Sequence, residues 1–192
     1  MADRCNTIRL YSFQTDVVYQ VLKRDGVCYS KEEYVRKKYK ESAKVFINAY
    51  GWFVKEAQHI VPKPEGAEYP YWAFTDLYNV DQSGEGHVLT LDVPIGEAIL
   101  FDMFDWTKIM QMHYIGENES EEAAFSKKLK NMGMNEFQIM TSNFYPEQKA
   151  RIQESWKRLF GHQQAIEAGD NSGVHSVQAG LWCIKGEWIV KE

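Results

Sequence analysis

Long apolar runs are missing from this chain. No stretch approaches the roughly 20 residues needed to span a bilayer, and the opening MADRCNTIRLYSF has neither the basic flank nor the unbroken apolar core of a secretory leader. The expectation is a soluble, cytoplasmic protein with no visible route of export. Cysteine is scarce as well: Cys5, Cys28 and Cys183 are odd in number and far apart, so they write neither a disulfide framework nor a CxxC metal or redox site. Nor is there an excess of basic residues. With 22 Lys and Arg against 27 Asp and Glu, the net charge is -5, which argues against a general electrostatic grip on nucleic acid. The phosphate-cradling loops GxGxxG and GxxxxGK are absent, as is the GxSxG nucleophile elbow. His59, His87, His113, His162 and His175 show no paired ligand spacing, so no metal site is expected.

Aromatic residues are plentiful: six Trp, 11 Tyr and 10 Phe in 192 residues. That much ring surface has to be buried or used in recognition. The length suits a single domain over 1–192, large enough to bury a core without disulfide or metal staples.

Alternation in TIRLYSF predicts a first strand with Ile8, Leu10 and Ser12 on one face and Arg9, Tyr11 and Phe13 on the other. Thr15 then opens a helix over DVVYQVLKRD that stops at Gly26. Ser30 and Glu33 form a capping box for a long helix, whose apolar stripe runs through Tyr50, Phe53, Val54 and Ala57 until Pro62 and Pro64 end it. YPYWAFTDL and HVLTLDVP read as neighbouring strands joined by a polar turn. AILFDMFDW passes from strand to helix with Asp102 or Asp105 at the N-cap. A helix follows over AAFSKKLKNM, and another over PEQKARIQESWKRLF starts at Pro146 and finishes at Gly161. VQAGLWCIKGEWIV closes the chain as two strands meeting near Lys185-Gly186. Strands and helices mixed in this way predict an α+β fold around a central, mostly antiparallel sheet.

Candidate functional residues come from chemistry at element ends. Asp92, Asp102 and Asp105 cluster near a strand-to-helix transition, where caps and functional carboxylates both belong. Trp72 offers a face for a flat ligand or a piece of core. Gln14 and Gln178 carry amides that, inside a sheet, need partners from protein or ligand. The basic run VRKKYK, with Arg36, Lys37 and Lys38, is either a solvated helix face or an anion-binding surface.

Taken in order, LYSFQ, AYGWFVKEA, YPYWAF, LDVPIGEAILFDMFDW, SWKRLF and VQAGLWCIKGEWIV resemble an uncharacterised family of small bacterial and phage proteins known only as a domain of unknown function. More distantly, the outline resembles ADP-ribosyltransferase-like domains, particularly those that modify nucleic acid. The resemblance implies a split sheet holding NAD in a cleft, with an early basic residue (here Arg9, sharing a face with Tyr11) gripping it. It also implies a late carboxylate stabilising the charge that develops on the ribose as the nicotinamide bond breaks. Where such enzymes read Gln-Ala-Glu, this chain has Gln178-Ala179-Gly180. Gln178 can bond a ribose hydroxyl, and Glu187 can replace the missing carboxylate only if the closing hairpin carries it into the cleft. The expected ligand site therefore comprises Arg9, Tyr11, Gln14, Trp72, Asp102 and Gln178, for NAD or a related nucleotide, with Gln178 and Glu187 as candidates for catalysis. The rival expectation is a non-catalytic protein, such as an inhibitor of a bacterial or phage defence component, docking a protein partner through an exposed apolar patch. A nucleic-acid module built on VRKKYK ranks third.

Overall fold

Strand β1 (Thr7–Gln14) has the alternation expected of it: Leu10, Ser12 and Gln14 are buried, while Arg9, Tyr11 and Phe13 face the other way. In the computed structural model, residues 6–33 and 43–190 are described. Cys5 and the basic run with Arg36, Lys37 and Lys38 lie outside the described residues, as do residues 34–42 of the helix predicted from Ser30 and Glu33. Helix α1 (Asp16–Asp25) ends where Gly26 takes φ 74° and its N–H returns to Leu22, the left-handed closure that glycine adopts without steric cost. Strand β2 (Val27–Tyr29) follows, and Ser30 forms an isolated bridge with Tyr69.

Helix α2 (Ala43–Ala57) lies over the main sheet, whose remaining strands are β3 (Tyr71–Phe74), β4 (His87–Pro94), β5 (Ile99–Asp102) and β6 (Val177–Leu181). Their order is β4-β1-β3-β6-β5, and every ladder is antiparallel. Between β5 and β6 come α3 (Met103–Met110), α4 (Glu119–Asn131), α5 (Glu136–Thr141), α6 (Pro146–Ser155) and α7 (Gln163–Glu167). Strand β7 (Cys183–Lys185) pairs with β2 in a separate two-stranded sheet. The α+β architecture and the split, antiparallel sheet are thus as expected.

Three local expectations are corrected. Strands β3 and β4 are not neighbours, because β1 lies between them; the polar linker of residues 75–86 easily crosses the ~10 Å width of one intervening strand. The closing segment is not a hairpin: the chain breaks at Trp182, so β6 pairs with β3 and β5 while β7 leaves for β2. The helix predicted to reach Gly161 ends at Ser155 and tightens into a 3-10 segment, Trp156–His162. Its three-residue period brings the fully buried Trp156 and Leu159 into line.

Each face of the main sheet carries its own core. Phe53 of α2, Trp106 of α3 and Trp156 pack with Ile99 and Phe101 on one side. Val18 and Leu22 of α1 and Ile166 of α7 pack with Leu10, Leu91, Leu100 and Ala179 on the other.

Candidate ligand face of the sheet

Strand register brings part of the expected site together. Tyr11 stands opposite Phe74, Phe74 opposite Gln178, and Gln178 opposite Phe101, so four strands contribute one continuous row of side chains to one face. Trp72 and Gly180 form the next row on that face, and Arg9 lies one pleat from Tyr11. The row changes character along its length: Phe101 is fully buried beneath Phe53 and Trp106, whereas Tyr11 and Phe74 are only half-buried. Gln178 sits at this boundary, 3% exposed, and its carboxamide has no hydrogen-bond partner among the described residues. Among the described residues no buried side-chain nitrogen or oxygen is left without a partner, so the Gln178 amide meets solvent at the half-covered end of the row, where a ligand can reach it.

Arg9 is engaged. Its guanidinium grips Asp92 of β4 through two bonds of 2.5 and 3.1 Å, and this hydrogen-bonded carboxylate raises its pKa further above the usual arginine range. Trp72 belongs largely to the core: its indole N–H donates to the Tyr50 hydroxyl at 2.7 Å, and its ring is wedged among Phe53, Phe101 and Trp106 at centroid distances of 5.1, 6.1 and 4.8 Å.

The other expected residues lie elsewhere. Gln14 projects from the opposite face of β1, where its amide donates to Ser12 Oγ at 2.8 Å and Ser12 donates to the Trp72 carbonyl at 2.7 Å. The need that singled it out is met inside the protein. Glu187 is exposed in a 3-10 turn, Gly186–Trp188, beyond the two-stranded sheet. The second closing strand expected after Lys185-Gly186 is replaced by this turn, so no hairpin carries Glu187 to Gln178. Asp102 ends β5 and caps α3, accepting the Phe104 N–H at 3.0 Å. Asp105 falls in the first helical turn, where burial raises its pKa against the opposing pull of Lys108.

Gly180, the position at which a glutamate was expected, has a packing role. A Cβ there would meet the Phe53 ring at 2.9 Å, and Phe53 is fully buried, so the ring has nowhere to go.

Comparison with known families gives a match over residues 9–190 to "Domain of unknown function (DUF3841)". The chain belongs to the DUF3841 family. No curated protein and no solved structure matches it.

One pair in this DUF3841 chain escaped sequence reasoning. Asp102 Oδ2 accepts both the backbone N–H of His175 at 3.0 Å and a bond with His175 Nδ1 at 2.8 Å. Burial is the largest influence on this carboxyl and would raise its pKa; the bonds from the His175 ring, the His175 N–H and the Phe104 N–H together outweigh it and hold the pKa below its usual value. The imidazole itself is 73% exposed and lies against Phe104 at 4.8 Å. No spacing rule links residues 73 apart in sequence. The one usable signal was the Asp at a strand end. Among the described residues of this DUF3841 chain, no helix is long and apolar enough to cross a membrane.

Proposed function

We propose that the half-covered face of the five-stranded sheet binds a nucleotide-type ligand, NAD or a close relative, as ADP-ribosyltransferase-like domains do. The observation that carries this reading is Gln178: a carboxamide with no hydrogen-bond partner among the described residues, its polar atoms open to solvent, in a row with Tyr11, Phe74 and Phe101. A carboxamide offers both a donor and an acceptor, the complement of a ribose hydroxyl, a nicotinamide or a base edge, and flanking rings suit flat ligands. Arg9 can turn from Asp92 toward a phosphate at the rim, since the pair is exposed and such pairs are worth about 1 kcal/mol or less. The activity proposed is binding, because the carboxylate that ribosyl transfer uses has its place at position 180 taken by the Phe53 ring.

The test is thermal unfolding with NAD, ADP-ribose and a nucleotide panel, for wild type and Gln178→Leu. A ligand at 100 times its Kd adds about 2.7 kcal/mol. A shift in wild type that Gln178→Leu abolishes supports the reading; no shift with any ligand, or an equal shift in both proteins, overturns it. Mass spectrometry after incubation with NAD tests for transfer.

A second reading, docking of a protein partner such as a bacterial or phage defence component, is favoured by a different observation. Met132, Phe137 and Phe144 are exposed, and Met132 and Phe137 flank in sequence the residues of a 510 Å³ groove lined by Leu129, Lys130, Met134 and Glu136 of α4, α5 and their connection. Exposed large apolar side chains near a groove are a common interface feature. Capture of a partner that Phe137→Ser with Phe144→Ser abolishes, without loss of fold, supports it.

A further inference from the structure

A cavity of about 210 Å³ lies where the two-stranded sheet meets the segment after α2. Its walls are ring and proline surface: Tyr29 of β2, Pro62 and Pro64, and Trp182 and Trp188 on either side of β7. The prolines bring no N–H donors, and the Trp182 indole N–H is already given to the Val61 carbonyl at 2.7 Å, so Trp182 and the prolines present apolar faces while Tyr29 and Trp188 add a hydroxyl and an indole N–H to the lining. Cys183 also borders the space, and burial pushes its thiol up to about 11, so it stays neutral. Two charged groups remain. Glu97, in the turn before β5, and Lys185 of β7 pair at 2.7 Å, both partly exposed, and the ammonium lies 5.0 Å from the centre of the Trp188 ring. A dry cavity of about 150 Å³ already accepts benzene, so this one has room for a ring and a short polar tail.

The charges select among such molecules. An amine alone would compete with Lys185 for Glu97 and be repelled by the ammonium; a carboxylate alone would meet the converse. A molecule carrying both charges lies head to tail on the existing pair and gains two attractions at short range. We propose that this cavity is a binding site for a small aromatic zwitterion, its ring between the tryptophan and proline walls and its ammonium and carboxylate set against Glu97 and Lys185. The site is separate from the Gln178 face and does not rest on the nucleotide reading.

The experiment is titration of the whole protein with L-phenylalanine, phenethylamine and 3-phenylpropionate, read by tryptophan fluorescence, because Trp182 and Trp188 form the walls and none of the three probes is a tryptophan. A saturable change with L-phenylalanine is expected, with each singly charged analogue at least about tenfold weaker, the loss of one charge-assisted contact. Lys185→Met and Glu97→Gln, both at the partly exposed mouth, should each weaken L-phenylalanine and narrow its advantage over the analogues, while Gln178→Leu should bind it as wild type does. Absence of saturable change with all three probes, equal binding of the three, affinity unaltered in both mouth variants, or loss of binding in Gln178→Leu would each overturn the proposal.

Discussion

Two neighbouring residues of β6 carry opposite constraints. Gln178 holds its amide free of partners among the described residues, and open to solvent, at the edge of a largely buried row. Gln178→Leu should therefore change stability by less than about 1 kcal/mol in urea unfolding while losing the nucleotide-induced shift. A variant that is clearly destabilised would show that the amide has a structural role. Gly180 is the reverse case, present for space and not for chemistry. Gly180→Ala should cost about 1–3 kcal/mol, since the new methyl meets an immobile Phe53 ring at 2.9 Å. Gly180→Glu should lower stability further and yield no ribosyl transfer, because a buried carboxylate without a partner adds its desolvation cost. If that variant folds normally and gains activity with NAD, the packing explanation for the glycine fails.

One carboxylate ties together the junction of β5, α3 and β6. Asp102 closes the N-terminus of α3 and, through His175, anchors the loop that leads into β6. Asparagine can still cap the helix but presents N–H groups where His175 also donates, so Asp102→Asn should cost about 1–3 kcal/mol at neutral pH. The pH dependence has a definite sign. A carboxyl whose pKa is depressed in the folded protein contributes stability that is fully present above its unfolded value, about 3.9, and lost as pH falls through the lower folded value. The urea midpoints of wild type and Asp102→Asn should thus converge as pH drops below about 4. A gap that stays constant to lower pH would assign the effect to geometry and not charge. His175→Ala, which leaves the cap bond in place, should cost less than Asp102→Ala.

At the scale of the molecule, the central strands belong to two cores at once. Trp72 and Phe74 point to one side of β3 and Tyr71 and Ala73 to the other, and each side has its own layer of helices. Neither layer can be lost without exposing the strands that support the other, so unfolding is expected to be one cooperative step. Far-ultraviolet dichroism and tryptophan fluorescence should give coincident urea transitions; separated midpoints would mean that the two cores melt independently.

What the sequence by itself determined is local. The alternation of β1, the stop at Gly26, the cap at the start of α3 and the α+β class all follow from side-chain periodicity and backbone chemistry within a few residues of each feature. Sequence also placed Arg9 and Tyr11 on one face, because strand alternation is a local property. Only the tertiary structure decided which strands pair and what each polar group meets. Gln14 and Gln178 read alike as amides at a sheet, yet one donates to Ser12 and the other has no partner among the described residues. Gly180 read as a lost glutamate until α2 laid Phe53 across it. Glu187 depended on a closing hairpin whose second strand is instead a 3-10 turn, and His175 found Asp102 across 73 residues. Contacts of that kind depend on which surfaces the whole chain can bury together, and no short stretch of it contains that information.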